Sequence, residues 1–180
     1  MSAYRVKLER PTARDREEFL RLIRASRDLH RPWVYPPLTD RQYDQYLLKT
    51  RSEGYEGFFV RERDTGRLTG VFELSEITRG ILQSAYLGFY AMVTHEGQGY
   101  MQEGLQLVLR HAFRELRLHR VEANIQPANK RSIALVKRGG FRKEGLSRRY
   151  LKIGGRWRDH ERWALLSEDW RVRGDDRPQG

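Results

Sequence analysis

The sequence predicts an α/β (α+β) protein, built on one mixed, mostly antiparallel sheet of six to seven strands with helices on both faces. Three observations predict it. Strand-like and helix-like segments follow one another in the order β-α-α-β-β-β-α-β-α-β-β. A strand-like run at 83–92 feeds a loop holding Gly97, Gln98 and Gly99, which opens into a strongly patterned helix. Two closing strand-like runs meet at Gly154-Gly155, which suits a hairpin turn.

Each element has a local cause. Residues 4–8 read as a first strand. Pro11 and Thr12 then offer a helix start, with Thr12 as N-cap and Asp15 completing a variant capping box. Phe19, Leu20, Leu22 and Ile23 give this helix an apolar side to about residue 27. Residues 30–37 (HRPWVYPP) are aromatic and proline-rich and read as a structured loop. Residues 40–52 form a second helix with Tyr43, Tyr46 and Leu47 facing inward. Two strands, 57–62 and 68–76, are joined by the turn residues Asp64, Thr65 and Gly66.

The 83–92 strand follows, and then a helix over 100–118. Its Leu105, Val108, Leu109, Ala112, Phe113 and Leu116 recur at three- and four-residue steps and make one buried stripe. A short strand at 120–125 ends at Pro127. Asn129 caps a helix that stops at Gly139-Gly140. The last strands lie near 146–153 and 157–166. Residues 1–172 form a single domain by this reading, with 173–180 (RGDDRPQG) a flexible tail.

Composition narrows the function. With 38% hydrophobic and 11% aromatic residues the chain is globular despite its charge. No apolar run is long enough to cross a bilayer and the N-terminus has no signal-like apolar stretch, so a cytoplasmic protein is expected. The absence of cysteine excludes disulfides, thiolate zinc sites and a cysteine nucleophile. The five histidines are scattered, without metal-ligand spacing, so no metal is expected. A net charge of +11 suits polyanions such as RNA or cofactor phosphates. Arginine dominates that charge, with only six lysines, and this usage also fits a GC-rich genome.

The glycine loop carries the sharpest signal. Its glycines let backbone approach a ligand, and the helix start behind them offers unpaired N–H groups and positive dipole. A P-loop would need Lys after the glycines, and none is there. A dinucleotide fingerprint would need a third glycine two residues before Gly104. What remains is a strand–loop–helix holding the pyrophosphate of coenzyme A, or a plain tight turn.

The loop Glu96-Gly97-Gln98-Gly99-Tyr100-Met101 resembles the Q/R-x-x-G-x-G/A segment of the GNAT superfamily of acetyl-CoA-dependent N-acetyltransferases. Gly99 matches the central glycine, while Glu96 and Met101 depart from the pattern. Asn129-Lys130-Arg131-Ser132 with Gly139-Gly140-Phe141 resembles the N-x-x-S…G-F segment of the Rim branch. Lys143-Glu144-Gly145, Tyr150-Leu151 and Gly155-Arg156-Trp157-Arg158-Asp159-His160 look like the RimJ type, which acetylates the N-terminal alanine of a small-subunit ribosomal protein. Tyr86-Leu87-Gly88, Leu118-His119-Arg120 and Asp169-Trp170 fit the same pattern, and Arg31-Pro32-Trp33 matches more loosely. The resemblance covers roughly Gly70 to Trp170.

The resemblance implies a GNAT fold, acetyl-CoA as co-substrate, and direct transfer to an amine. The backbone of Gly97, Gln98, Gly99, Tyr100 and Met101 would face the diphosphate. The strand end at Met92 and Val93 would polarise the thioester carbonyl. Asn129 would contact the pantetheine arm, and Ser132 would lie near the sulfur. Many members place a Tyr where this chain has Val136. Each position has a structural alternative: strand core for Met92 and Val93, helix capping for Asn129 and Ser132.

The acceptor sets how strong a base is needed. An α-amine with a pKa of about 7.7–8.0 is already neutral in a sizeable minority of molecules at neutral pH, whereas lysine, near 10.4, is not. An N-terminal acceptor therefore tolerates a weak base or a water relay. Glu73, Glu76, Glu122 and His160 are the candidates, with Glu73 and His160 favoured; Asp159 beside His160 would raise or orient it. Trp33, Tyr35, Tyr86 and Tyr90 line the acceptor groove or pack in the core. The expected partner is the N-terminus of a ribosomal protein, with ribosomal RNA contact favoured by the charge. The rivals are a GNAT enzyme acting on a small amine or antibiotic, and a non-catalytic ribosome- or RNA-binding assembly factor.

Overall fold

The computed structural model describes residues 4–170. The expected tail at 173–180 lies outside the described residues. Among those described, the elements are β1 (Val6–Glu9), a 3-10 turn (Ala13–Asp15), α1 (Arg16–Ala25), α2 (Arg27–His30), α3 (Asp40–Lys49), β2 (Glu56–Glu62), β3 (Leu68–Thr78), β4 (Ser84–Ala91), α4 (Tyr100–Arg110), β5 (Arg120–Ile125), α5 (Lys130–Arg138), β6 (Arg142–Ile153) and β7 (Arg156–Leu166). They build one seven-stranded sheet of order β1-β2-β3-β4-β5-β7-β6. Every neighbouring pair is antiparallel except β4 and β5. The α/β expectation of a mixed, mostly antiparallel sheet holds.

Strand alternation sorts the two faces. Phe58, Val60, Phe72 and Leu74 pack with α4 and α5 on one face, while Phe59, Val71 and Tyr90 pack with α1 and α3 on the other. On the second face Phe19 sets its ring 5.1 Å from Tyr43 and 5.5 Å from Phe59. Burying side chains of this size is worth about 1.5–3 kcal/mol each. Arg61 on β2 faces the same side and binds Asp15 at 2.7 Å and Glu18 at 2.8 Å, which ties the start of α1 to the sheet.

Several helix ends fall short of the sequence reading. The first helix breaks at Ser26, whose N–H bonds both Leu22 and Ile23 carbonyls, and a short α2 continues to His30. The expected 40–52 helix stops at Lys49. The expected 100–118 helix ends at Arg110 and widens into a π turn, where the Leu116 N–H reaches the His111 carbonyl at 2.9 Å. Gly104, which came too late for a dinucleotide motif, has a packing reason. A Cβ there would lie 2.9 Å from Val60 Cγ2, so glycine lets α4 lie close on the sheet.

Candidate active site

The site begins where two parallel strands part. β4 and β5 pair only from Ser84, Ala85 and Tyr86 to Arg120, Val121 and Glu122. Beyond that, β4 stays with β3 and β5 stays with β7, so a wedge opens between them. It widens into a cleft of about 1200 Å³ walled by Leu87–Ala91, Asn124–Gln126 and the starts of α4 and α5. A groove that splits a sheet exposes backbone N–H and C=O groups with no strand partner, and these are ready-made contacts for an extended ligand.

The register decides which groups those are. The Met92 N–H bonds the Thr69 carbonyl at 2.9 Å, and the Val93 N–H bonds Ser26 Oγ at 2.9 Å. Both amides expected to face the thioester are therefore engaged elsewhere. In an antiparallel ladder alternate residues turn to the partner strand. With Met92 turned to β3, the backbones of Ala91 and Phe89 turn into the cleft. This one-residue offset depends on strand register, which the sequence does not carry. His30, also unforeseen, sits here with Nε2 2.8 Å from the Ala91 carbonyl and its ring 5.3 Å from Tyr90. Burial lowers its pKa, so it donates as a neutral imidazole.

At the far end of the wedge the chain turns into α4. Gly97 and Gly99 have φ of 74° and 85°, values that favour glycine, and Gly99 is the N-cap. Among the described residues the N–H groups of Gly97, Gln98, Gly99, Tyr100 and Met101 have no acceptor. They are the orphan donors of a helix start, beside its positive dipole end. Arg5, just before β1, braces the turn, with Nη2 2.9 Å from the Gln98 carbonyl and its backbone N–H 2.6 Å from Glu103. The Tyr100 hydroxyl donates to Glu62 at 2.6 Å and Met101 covers Gly70, so these two side chains serve packing while their amides stay free. Glu96 pairs with Arg131 of α5 across the mouth. Lys130, Arg131 and Arg138 line the same cleft. Amides, dipole and cations together fit the phosphates of coenzyme A.

Along the second wall, the Asn129 Oδ1 accepts the Ser132 N–H at 3.2 Å. Asn129 is thus the N-cap of α5, and that oxygen is held away from a pantetheine arm. The Ser132 hydroxyl has no partner among the described residues and lines the cleft. Val136 is fully buried in the core.

The acceptor end is more spread out. Trp33, Tyr90 and His160 line the cleft, whereas Tyr86 stands beside it with its hydroxyl 3.4 Å from that of Tyr150. The Tyr35 ring lies against Gly154, so the 30–37 loop and the β6–β7 hairpin are in contact, outside the cleft lining. His160 Nδ1 lies 2.9 Å from the Arg158 carbonyl, which fixes the proton there and leaves Nε2 as an acceptor. Burial lowers its pKa; Asp159 pulls the other way but loses, and its carboxylate accepts the Arg149 N–H in a bulge of β6 instead. Glu122 is paired with Arg120 at 2.8 Å and Glu76 is exposed at the end of β3. Glu73 lies on β3, registered against Gly88 of the cleft wall. Asn124 and Gln126, overlooked in the sequence, bring buried polar atoms without a partner to the same cleft. No group of His, Asp or Glu among the described residues is placed to hold a metal ion.

Comparison with known proteins agrees with this geometry. Residues 5–142 match the family described as acetyltransferase (GNAT) domain. A probable N-acetyltransferase, YjcK of Bacillus subtilis, is 41% identical over 125 residues, covering 69% of this chain and 68% of its own. The [ribosomal protein uS5]-alanine N-acetyltransferase of Escherichia coli is 40% identical over 122 residues, covering 68% of this chain but 62% of its own length. Among solved structures, Mycobacterium smegmatis RimJ in complex with CoA-disulfide superposes with a TM-score of 0.83 at 29% identity, over 91% of this chain and 82% of that one. The chain belongs to the GNAT acetyltransferase family and is an acetyl-CoA-dependent N-acetyltransferase.

Proposed function

We propose that this chain acetylates the N-terminal α-amine of a protein, and that its acceptor is a ribosomal protein beginning with alanine. The likeness to the uS5-alanine enzyme supports the acceptor, and the free amides at the start of α4 carry the co-substrate half.

The bound co-substrate supplies an activated acetyl thioester. The amides of residues 97–101 hold its diphosphate, with Arg131 and its basic neighbours meeting the remaining charge. The Phe89 and Ala91 backbones lie along the arm, and an N–H among them polarises the thioester carbonyl. Donors of this kind matter by about 10²–10³-fold. Ser132 Oγ donates to the sulfur as it leaves. His160 Nε2 accepts a hydrogen bond from the incoming amine or its water. With no cysteine in the chain, no thiol is available for an acyl-enzyme and transfer is direct.

A polyamine is the rival acceptor. It needs several carboxylates spaced along its length, and the cleft offers few. Glu96 and Glu103 are neutralised by Arg131 and Arg5, and Asp28 stands apart from them on α2. The test is acetyl-CoA labelling of a ribosomal-protein extract and of spermidine, read by mass spectrometry. Acetyl groups on alanine N-termini are expected. Labelled spermidine with bare protein N-termini would reverse the assignment.

A further inference from the structure

Gly57, Glu73 and Gly88 stand side by side on β2, β3 and β4. Gly57 is registered with Glu73, and Glu73 with Gly88. Cross-strand partners share a face, and this is the face under α1 and α3, since the next rung holds Phe59, Val71 and Tyr90. Glycine on both sides leaves the Glu73 carboxyl in a slot. Its wall toward the cleft is only backbone, because a Cβ on Gly88 would lie 3.6 Å from Glu73 Oε2, and Gly88 lines the cleft.

The slot is lined by tyrosine hydroxyls. Tyr46, Tyr55 and Tyr90 are each 6% exposed, and their hydroxyl oxygens are shut from solvent without a hydrogen-bond partner among the described residues. The Glu73 charge helps raise the pKa of each, behind burial, and the Tyr46 hydroxyl sits 3.0 Å from the Cβ position of Gly57. A buried polar atom left unpaired costs about 1–3 kcal/mol, so a cluster of them around one carboxyl marks a site that gains partners in another state. Glu73 as a whole residue is half-buried, and its neighbour Gly88 lines the cleft.

We propose that Glu73 receives the acceptor's ammonium over Gly88 and takes its proton, with Tyr46, Tyr55 and Tyr90 as positioning hydroxyls that hold the carboxylate. This rests on the amine-acetylating reading above. One proton passes from nitrogen to a Glu73 oxygen and frees the lone pair. The nitrogen then bonds the thioester carbon, the C–S bond breaks, and the second N–H proton passes by way of the Ser132 hydroxyl to the leaving sulfur. Burial raises the Glu73 pKa, while the Tyr55 hydroxyl, beside the carboxyl though outside hydrogen-bonding geometry, and Lys49 of α3 pull it back. Tyr43 of α3, whose hydroxyl donates to the Thr12 carbonyl, and His30 of α2, whose ring lies 5.3 Å from that of Tyr90, are further titratable groups beside the cluster.

The test is kcat/KM on an alanine-initiated peptide from about pH 6 to pH 9, with coenzyme A affinity as control. Glu73→Gln should lose at least about tenfold near pH 7, within the usual range for a general base. The defect should shrink above the α-amine pKa of about 8, where neutral amine is already supplied. Tyr55→Phe should move the acidic limb upward, because a group that lowers the Glu73 pKa is gone. A Glu73→Gln profile that overlays wild type, with coenzyme A affinity intact, overturns the proposal. A wild type that acetylates no α-amine overturns the acceptor reading instead. Carboxyl NMR then decides for Glu73: alaninamide, an α-ammonium probe, should lower its titration midpoint, and an unmoved midpoint overturns the role.

Discussion

Ser26 Oγ accepts the Val93 N–H at 2.9 Å, joining the break between α1 and α2 to the end of β4. Ser26 is fully buried, so no water can take its place. The bond fixes the strand end whose Ala91 backbone faces the cleft. Ser26→Ala should cost about 1–3 kcal/mol, the penalty of stranding a shielded N–H. It should also raise the KM for acetyl-CoA. Thermal denaturation and steady-state kinetics read the two effects, and an unchanged melting point would show the bond contributes nothing.

Two glycines in the α4 region should fail in opposite ways. Gly99 has φ of 85°, which proline, fixed near −65°, cannot adopt. Gly99→Pro should abolish coenzyme A binding while the exposed turn lets the fold survive. Gly104→Ala should cost about 1–3 kcal/mol by crowding Val60 and Phe72, and leave affinity in the folded protein intact. Calorimetric titration beside thermal melts separates them. Coenzyme A bound normally by Gly99→Pro would move the pyrophosphate elsewhere.

Ser132 contributes its backbone N–H to the Asn129 cap, and a side-chain change leaves that bond in place. Ser132→Ala should therefore lower kcat by about 10²-fold, the low end for a proton donor, with affinity for coenzyme A unchanged. Equal turnover would reduce Ser132 to a surface position of α5.

Glu73 should make the protein less stable as it makes it active. Its pKa is raised in the folded state, so the folded form binds the proton more tightly than the unfolded chain. Its contribution is fully present below the unfolded carboxyl pKa and is lost as pH rises through the folded value. Glu73→Gln should melt higher than wild type near pH 8, and the gap should close near pH 4. Thermal melts at the two pH values check this, and a gap of the same size at both would place the cause outside ionisation.

The site was partly legible in the chain. Asn129 as a helix cap, Gly97 and Gly99 at a turn and the strand–loop–helix order follow from local chemistry. The Met92 amide was misplaced by one residue because facing alternates along a strand and only the partner's register fixes the phase. His30 and Asn124 gave no local sign, since each matters through a neighbour distant in sequence. Gly104 read as a failed motif position until α4 was seen against Val60.

What the sequence alone determined is the order of the main strands and helices and the glycine turn that opens α4, because helix caps, turns and periodic faces depend on residues a few positions apart. Tertiary structure alone decided where β4 and β5 part, which backbone groups the wedge exposes, and that Glu73 stands between two glycines among three tyrosines. Those follow from long-range strand pairing, in which distant segments become neighbours through burial of shared faces and hydrogen-bond register.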